Sequence, residues 1–274
     1  MSVWSHAGKK VLVIGCYSGI GRAVAEELVR LGAVVHGIDW KPVDNPGLSA
    51  FTLCDLRDIG SIDAALTEIQ GPLDAVYYCS GLPQTHAAAD VVTVNFINMR
   101  YCIEQVRTKI RDGGAIAVIA STAGNGWVNR AALITEFVAT PDHVSAQAWV
   151  EPRLAGVGDP YSFSKEAVIA WGMRESAHIL ANRGIRLNLL SPGPTISGMT
   201  PDFDSFAGPK VIDVYTQPLG RRSLPEEQAW PLIFLNSDAA SYVNGCNFIA
   251  DAGFTAGMAT GQIDLDRLLA EAAA

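Results

Sequence analysis

The sequence predicts an α/β fold, in which a doubly wound parallel β-sheet is covered by helices on both faces. Two observations predict it. Short apolar segments alternate along the chain with longer segments of helical periodicity, the pattern of repeated strand–helix–strand units. The short segments are apolar almost throughout, as expected for strands buried on both faces of a parallel sheet. The 274 residues contain no internal repeat, low-complexity tract or linker, so residues 1–274 are predicted to form a single domain.

The first strand and the first helix are the clearest elements. The strand is KKVLVIG, which ends at Gly15, and the helix is RAVAEELVRLG, which is closed by a glycine cap at Gly32. The same alternation continues downstream. The further predicted strands are AVVHGID, LDAVYYCSG, GAIAVIAS, RLNLLSPG and CNFIADAG, and the further predicted helices are SIDAALTEIQ, residues 91–110 and PEEQAWPLIFLNS.

Two long stretches interrupt this alternation. Residues 123–157, here called the insert, and residues 193–223, here called the substrate loop, carry many Gly, Pro and Asp residues. Both are too long to be simple connections between regular elements. Loops of that length commonly form lids, interfaces or binding sites, so we expect function to reside in them.

The composition excludes several kinds of protein. Hydrophobic residues make up 49% and charged residues 18%, the balance of a folded globular protein. The net charge of -8 argues against a nucleic-acid-binding surface, which needs clustered Lys and Arg. No apolar segment is long enough for a membrane-spanning helix, and the residues before Lys9 lack the apolar region of a secretory signal. We therefore expect a cytoplasmic protein without nucleic-acid or membrane partners.

The sequence offers no metal-binding pattern. The cysteines form no CxxC pair and have no histidine at ligand spacing, and His36 and the other histidines have no partner spacing for a metal site or a catalytic triad. No metal is predicted, and the histidines are interpreted as structural or solvated. We expect reduced and mostly buried thiols at Cys16, Cys54, Cys79, Cys102 and Cys246.

A glycine-rich turn, GCYSGIG, lies between the first strand and the first helix. Its glycines, Gly15, Gly19 and Gly21, permit a tight turn at a helix N-terminus whose free N–H groups suit a pyrophosphate. A tight connection without a ligand would have the same pattern. Asp39 at the end of the second strand favours the dinucleotide interpretation, because its carboxylate can accept hydrogen bonds from both adenosine ribose hydroxyls. It would also repel a 2′-phosphate, so a Rossmann-type NAD site is predicted, although the nearby Lys41 leaves NADP open.

A Tyr and a Lys stand four residues apart in PYSFSKEAVIAWG, which has helical character. On a helix Tyr161 and Lys165 would lie side by side on one face. The pair can be an acid/base couple or simply the hydrated edge of a surface helix. A free tyrosine is a poor base, because a pKa near 10 leaves only about 0.1% phenolate at pH 7.

The GxxxGxG spacing, followed by YxxxK, resembles the short-chain dehydrogenase/reductase family. The resemblance covers nearly the whole chain, and its weaker motifs occur in the family's order: Asp55, CSG at 79–81, Asn95, Ser121 and PGPT at 192–195. The sequence departs from the family pattern at two points. Ile14 stands where a Thr often precedes the first glycine, and Cys79-Ser80-Gly81 replaces Asn-Ala-Gly. Both departures affect support of the cofactor loop rather than the chemistry.

The resemblance implies a role for each motif residue. Tyr161 would be the general acid/base, Ser121 would hydrogen-bond the substrate oxygen, and Lys165 would bind the nicotinamide ribose. With the positive nicotinamide, Lys165 would also lower the pKa of Tyr161. Asn95 would anchor a water that links Lys165 to solvent, and Thr195 would hold the carboxamide. The implied NAD-binding residues are Gly15, Ser18, Gly19, Ile20, Gly21, Asp39, Asp55, Leu56, Ser80, Gly81, Tyr161, Lys165, Pro192, Gly193 and Thr195.

Two groups within the family share distinctive features with this chain. The spacing of 40 residues between Ser121 and Tyr161, and the run SGLPQTH, resemble bacterial 3α-hydroxysteroid dehydrogenase/carbonyl reductases. YSFSKEAVIAW and the region of Trp149 resemble coniferyl alcohol dehydrogenases. These resemblances imply NAD(H)-dependent interconversion of a bulky hydrophobic secondary alcohol, cyclic and steroid- or terpenoid-like, and its ketone. An aryl or allylic alcohol is the alternative substrate.

Two other functions are alternatives to this one. A nucleotide-sugar epimerase shares the glycine turn and YxxxK but would need a substantial C-terminal domain, whereas about twenty residues follow the last predicted strand. A non-catalytic NAD-binding sensor would have no reason to keep the four catalytic residues together. The resemblance also implies a homodimer or a homotetramer, in which the insert could obstruct or build an interface.

The substrate loop supplies candidate walls for a pocket. Its charged residues are mainly acidic, so a bulky neutral ligand suits it better than a phosphate ester or an acyl-CoA. Arg130 and Arg153 in the insert are the candidates for meeting a substrate carboxylate. The aromatic residues Trp127, Phe137 and Trp149 can be either core or pocket. The candidate walls are Ile196, Met199, Phe203, Phe206, Val211 and Ile212, extended by Leu82 and Pro83.

Overall fold

Seven parallel strands form the central sheet of the computed structural model, which describes residues 2–273. Their order is β3-β2-β1-β4-β5-β6-β7, so the direction of winding reverses between β1 and β4. The predicted doubly wound α/β fold is confirmed. The strands are β1 (Lys10–Ile14), β2 (Val34–Asp39), β3 (Ala50–Leu53), β4 (Leu73–Tyr78), β5 (Ile110–Ile119), β6 (Arg186–Pro192) and β7 (Asn247–Ala250).

Helices cover both faces of this sheet. The α-helices are α1 (Gly19–Arg30), α2 (Ile59–Glu68), α3 (Ala88–Val92), α4 (Asn98–Val106), α5 (Ala131–Val138), α6 (His143–Val150), α7 (Pro160–Arg183), α8 (Thr200–Ala207), α9 (Pro209–Val214), α10 (Pro225–Leu235), α11 (Phe254–Ala259) and α12 (Leu265–Ala273). Strand β1 shows how two cores arise, because successive side chains point to opposite faces. Leu12 and Ile14 pack into one core, with residues of α2, α4 and α7. Val11 and Val13 pack into the other, with residues of α1 and α10.

Strand β3 was missed by the sequence analysis, which predicted six strands. It is a four-residue edge strand that pairs with β2 alone. Because one side of it faces solvent, its side chains are not apolar throughout: Thr52 is buried, whereas 59% of Leu53 is exposed. A short edge strand of this kind lacks the continuous apolar run that identified the central strands.

The helix predicted over residues 91–110 is confirmed, with an irregularity in its middle. Helices α3 and α4 are joined by a π-helical turn, Thr93–Ile97, and a 3₁₀ turn, Arg107–Lys109, ends the segment. Ile110 is the first residue of β5, so the predicted helix was one residue too long at its C-terminal end. The π-helical turn contains Asn95, and such turns often occur at functional sites.

The insert is mostly helical rather than irregular. It contains α5, α6 and the 3₁₀ segments Thr122–Arg130 and Glu151–Gly156. Phe137 stacks on Trp149 and Phe163 with ring centroids 5.0 and 5.3 Å apart, and it is fully buried. Trp127 also packs against this core. The three aromatic residues left open between core and pocket are therefore core residues, and the insert is packed onto α7.

Three further expectations concern the cysteines, membrane-spanning helices and metal sites. All five cysteines are free thiols, three of them buried and two half-buried, as predicted. Within residues 2–273, no helix combines the length and the apolar character that crossing a membrane requires. The same residues include no group of three or more His, Cys, Asp or Glu side chains arranged to hold a metal ion.

Candidate active site

A cavity of about 910 Å³ opens at the carboxyl ends of the strands. Its wall includes the residue at or just after the end of most central strands: Gly15, Asp39, Cys79, Ala120 and Gly193. In a doubly wound sheet the crevice forms here, because the connections from neighbouring strands leave in opposite directions at the switch point between β1 and β4. The fold therefore brings the separate sequence motifs to one place.

Glycine is required at the turn that follows β1. A Cβ on Gly21 would lie 1.9 Å from the carbonyl oxygen of Gly15, and a Cβ on Gly15 would lie 2.6 Å from the amide nitrogen of Ser80. Gly15 also has φ +89°, in the left-handed region. Ser18 and Ile20 line the cavity beside the start of α1. Gly21 does not line it and instead allows α1 to approach the turn closely.

Asp39 is held rigidly at the end of β2. Its Oδ2 accepts a hydrogen bond from the Tyr17 amide at 2.9 Å, and its Oδ1 accepts from the amides of Trp40 and Lys41 at 2.8 and 3.3 Å. The Lys41 ammonium lies 4.5 Å from the centroid of the Trp40 ring. Asp39, Tyr17 and Trp40 all line the cavity. The Asp39 carboxylate is therefore held in a fixed position in the part of the cavity wall that Tyr17 and Trp40 also form.

Two further residues that were predicted to bind the cofactor lie outside the cavity wall. The Asp55 carboxylate binds the Arg57 guanidinium, with the shortest contact at 2.6 Å, and this hydrogen bond lowers the pKa of the Asp55 carboxyl. Leu56 is buried, and its carbonyl accepts a hydrogen bond from Asn98 Nδ2 at 2.8 Å. The cofactor contacts of Asp55 and Leu56 thus stay predictions.

Tyr161 and Lys165 lie on the first turns of α7 and both line the cavity. Asp159 caps this helix by accepting from the amides of Tyr161 and Ser162 at 3.3 and 2.8 Å. The Lys165 Nζ donates to the carbonyl of Ile119 at 3.1 Å and lies 5.8 Å from the centroid of the Tyr161 ring. The pattern YxxxK therefore marks a half-buried Tyr161 and a buried Lys165 that line a cavity, rather than a hydrated surface edge.

Burial has the largest effect on the pKa values of Tyr161 and Lys165 in the chain by itself. It raises the pKa of Tyr161 to about 12, with the hydrogen bond to Ser121 acting in the opposite direction. It lowers the pKa of Lys165 to about 8. The expected lowering of the Tyr161 pKa is therefore absent from the chain by itself, because desolvation of the phenolate outweighs the polar contacts.

Ser121 and Asn95 lie near this pair. Ser121 follows β5, and its Oγ accepts from the Ala123 amide at 3.2 Å and contacts Tyr161. Asn95 is buried behind the wall: its Oδ1 accepts from the Leu82 amide at 2.6 Å and its Nδ2 donates to the Leu82 carbonyl at 2.9 Å. A Cβ on Gly81 would lie 3.2 Å from Asn95 Oδ1. Asn95 therefore fixes the segment after β4, next to Lys165.

The segment after β6 completes the predicted cofactor side. Pro192, Gly193 and Thr195 all line the cavity, as do Ser80 and Gly81. The Gly193 amide donates to the carbonyl of Ala250 at 3.1 Å. The Thr195 hydroxyl lies 2.8 Å from Ser223 Oγ. These two contacts hold residues 192–195 against Ala250 of β7 and against Ser223.

Helices α8 and α9 supply an apolar part of the cavity wall. Phe203 packs edge-on against Tyr161, with ring centroids 5.2 Å apart. Three predicted wall residues are elsewhere: Ile196 faces outward and is half exposed, Leu82 packs against the core, and Pro83 is buried outside the cavity. The predicted wall residues that do line the cavity are Met199, Phe203, Phe206, Val211 and Ile212.

A charged cluster holds α8 to α9. The Arg222 guanidinium binds Asp204 and Asp213, each at 2.7 Å, and only 13% of its side chain is exposed. Arg222 was not among the predicted site residues, although it follows a loop rich in acidic residues. Arg130 and Arg153, suggested for a substrate carboxylate, lie outside the cavity wall. Arg130 binds Glu166, and Arg153 stacks over Trp149.

Comparison with known proteins gives consistent matches along the chain. Residues 9–133 match the family model described as short chain dehydrogenase, and residues 148–255 match the model described as Enoyl-(Acyl carrier protein) reductase. The coniferyl-alcohol dehydrogenase of a Pseudomonas species is 28% identical and covers 89% of this chain and 96% of its own. The 2,5-dichloro-2,5-cyclohexadiene-1,4-diol dehydrogenase of Sphingobium indicum is 31% identical and covers 91% and 98%.

A solved structure agrees with these matches. The 3-alpha-hydroxysteroid dehydrogenase of a Pseudomonas species, complexed with NADH, superposes with a TM-score of 0.78 at 25% identity, covering 93% of this chain and all of its own. The sequence relatives and the solved structure therefore cover almost all of the chain. Together with the cavity and its Ser–Tyr–Lys group, they show that the chain belongs to the short-chain dehydrogenase/reductase family of nicotinamide-dependent alcohol dehydrogenases and carbonyl reductases.

Proposed function

We propose that the protein uses NAD(H) to interconvert a bulky hydrophobic secondary alcohol, cyclic and steroid- or terpenoid-like, and its ketone. The observation that carries this proposal is the shared cavity. Ser121, Tyr161 and Lys165 line it together with the apolar side chains of α8 and α9, and Phe203 of α8 packs on the Tyr161 ring. Apolar walls with few polar groups suit a large neutral ligand that is fixed mainly by its reacting oxygen.

The residues of the cavity fit a dinucleotide. The turn after β1 leaves no room for a Cβ at Gly15 or Gly21, and α1 begins at its end, an arrangement that suits a pyrophosphate. The Asp39 carboxylate in the cavity wall supports a preference for NAD over NADP, because a 2′-phosphate beside it would meet a fixed negative charge. One related solved structure contains NADH, whereas another, a putative gluconate 5-dehydrogenase, contains NADP at low occupancy.

The catalytic residues would divide the work by position. When bound, a nicotinamide cofactor supplies or accepts the hydride. Tyr161 Oη accepts the hydroxyl proton of the alcohol during oxidation and returns a proton to the carbonyl oxygen during reduction. Ser121 hydrogen-bonds the same substrate oxygen, and charged Lys165 favours the phenolate form of Tyr161. Asn95 keeps the segment beside Lys165 in place and anchors the water that connects Lys165 to solvent.

A second candidate is an aryl or allylic alcohol of the coniferyl type. The aromatic residues Phe203, Phe206 and Tyr215 in the cavity wall favour it, and so does the printed name of the coniferyl-alcohol relative. A non-catalytic NAD-binding sensor remains the alternative of another class. The assembly as a homodimer or homotetramer and the cytoplasmic location are proposals that rest on the sequence.

A substrate panel tests the proposal directly. NAD reduction is followed at 340 nm with steroid, terpenoid and aryl alcohols, short polar hydroxy acids and an acyl-CoA ester. We expect the highest kcat/KM for a bulky cyclic alcohol. A higher value for every aryl alcohol would favour the second candidate. Higher values for the hydroxy acids or the acyl-CoA than for all bulky alcohols would refute both, and NADH binding without turnover would favour the sensor.

A further inference from the structure

The hydroxyl of Thr195, which the family resemblance assigns to the nicotinamide carboxamide, is supported from behind the cavity wall. Its Oγ1 lies 2.8 Å from Ser223 Oγ, and Ser223 Oγ accepts a hydrogen bond from Gln228 Nε2 at 3.0 Å. Thr195 lines the cavity, whereas Ser223 and Gln228 do not. A hydrogen-bonded chain therefore runs from a side chain on the first turn of α10 to a hydroxyl in the cavity wall.

Gln228 reaches the same turn by a second contact. Its Nε2 also donates to the carbonyl oxygen of Ala250 at 3.0 Å, and that oxygen accepts from the Gly193 amide at 3.1 Å. A carbonyl oxygen can only accept, so the nitrogen of the Gln228 amide, and not its oxygen, faces Ala250 and Ser223. Both N–H bonds of this amide are thus used on residues that contact the turn.

Stability alone does not explain a glutamine at position 228. Only 3% of Gln228 is exposed, and its Oε1 has no hydrogen-bond partner among the described residues. A buried oxygen without a partner destabilises the folded state, and an apolar side chain of similar size would avoid that cost. Ser223 and Ala250 would each keep another hydrogen-bond partner without it. The amide is therefore best explained by what its two donors do to the turn.

We propose that Gln228 is a positioning residue for the cofactor, which acts through Ser223 to hold the Thr195 hydroxyl where it can hydrogen-bond the nicotinamide carboxamide. Thr195 Oγ1 also lies 2.9 Å from the Gly193 carbonyl, so the chain fixes its hydroxyl between two neighbours. The inference rests on the proposed NAD(H)-dependent function. It concerns the nicotinamide half of the cofactor only, because Asp39 and the turn after β1 are assigned to the other half.

The test compares two ligands that differ in the nicotinamide ring. NADH carries the ring, and ADP-ribose is the rest of the dinucleotide without it. The Kd of each is measured by isothermal titration calorimetry for the unmodified protein, Gln228→Met, Ser223→Ala and the double variant, and the Tm of each protein is recorded.

Asn236→Leu is the matched control. Asn236 follows α10 directly and is another buried amide, which donates to the carbonyl of Val76 at 2.9 Å. Its Oδ1, like Gln228 Oε1, has no partner among the described residues, but Asn236 does not contact the turn or line the cavity. The control therefore measures the loss of a buried amide without the proposed role.

We expect Gln228→Met and Ser223→Ala each to raise the Kd of NADH about fivefold and that of ADP-ribose less than about twofold, since one hydrogen bond to the carboxamide is weakened. In the Ser223→Ala background, Gln228→Met should have little further effect on NADH, because the contact through which it acts is already gone. Asn236→Leu should leave the ratio of the two Kd values unchanged, even where it lowers the Tm.

Two results would overturn the inference and leave the proposed function intact. One is a ratio of Kd values that Gln228→Met does not change, whether both values rise equally or neither rises. The other is full additivity of the two substitutions on NADH affinity, which would show that Gln228 does not act through Ser223. If Gln228→Met does not fold, Ser223→Ala at its half-buried position decides the first point in the same way. Failure of the unmodified protein to bind NADH would instead refute the proposed function, and the inference with it.

Discussion

The two sides of the cavity are built in different ways. On the cofactor side, strand ends and backbone groups set the positions: three amides hold Asp39, and a Cβ at Gly21 would collide with the backbone. On the substrate side, α8 has no fully buried residue, and 59% of Phe206 is exposed. Side-chain contacts hold this wall, above all the Arg222 cluster. The cofactor side thus permits few residue types, whereas the substrate side can exchange its apolar side chains.

Replacing Tyr161 by Phe should have the largest effect, because it removes the proton-transferring group that faces both sides. General acid/base groups contribute about 10² to 10⁴-fold, so kcat should fall by at least about 100-fold. NADH binding, measured by fluorescence titration, should stay close to unchanged, because the hydroxyl acts on the substrate oxygen. If the Phe variant keeps more than roughly a tenth of kcat, Tyr161 is not the general acid/base.

The buried charge of Lys165 should appear in the pH dependence of stability. Its pKa is about 8 in the folded protein against 10.5 without burial, so between these values the unfolded chain binds more protons and stability rises with pH. Lys165→Met removes the buried ammonium. The variant should gain stability relative to the unmodified protein below pH 8, by up to about 3 kcal/mol, and lose that gain as pH rises.

Urea unfolding at pH 7 and pH 9.5 gives the free energy of unfolding of the unmodified protein and of Lys165→Met. The test is how the difference between these two free energies changes with pH. Tyr161 is present in both and cancels. Its raised pKa of about 12 would lower stability only above pH 10, outside the measured range. A difference between the proteins that stays constant with pH would contradict the assignment of a buried, titrating Lys165.

The same contrast explains which features the sequence could predict. Gly15 and Gly21 were identified because the backbone contacts around them exclude every larger residue, which leaves a readable spacing. The doubly wound parallel sheet followed from the alternation of strands and helices. Arg222 was missed because its role depends on partners that come close only in three dimensions. For Arg222 these are Asp204 and Asp213 on two separate helices.

The insert shows a different kind of error. Its Gly, Pro and Asp residues suggested irregular structure, yet Ile134, Phe137 and Val138 stand at helical spacing and are buried. The helical signal was present in the sequence, but it covers only eight residues of α5, between long segments rich in turn-forming residues. Short helices that depend on tertiary packing are hard to recognise for this reason.

Arg222→Met should weaken the substrate wall and leave the cofactor side intact. Without the guanidinium, Asp204 and Asp213 lose their partner, and α8 and α9 lose the contact that joins them. We expect KM for the bulky alcohol to rise about tenfold, in line with a charge-assisted contact, while the Kd of NADH changes little. Arg221→Met is the matched control, since Arg221 binds Glu227 with 52% of its side chain exposed, and it should change KM about twofold at most. Equal effects of the two variants on KM would show that the cluster does not organise the wall.

Asp39→Ala should have the smallest effect on turnover, because it changes which cofactor binds rather than the chemistry. The three backbone amides keep the carboxylate from swinging aside, so a 2′-phosphate would meet it directly. We expect the ratio of kcat/KM for NAD over NADP to fall about tenfold in Asp39→Ala, since one fixed like charge is removed. Lys41→Ala should raise that ratio, because it removes the cation beside Trp40 that offsets a phosphate. Asp44→Ala, at an exposed acidic residue outside the cavity, controls for net charge. Equal kcat/KM with both cofactors in the unmodified protein would refute the NAD preference, whatever the variants show.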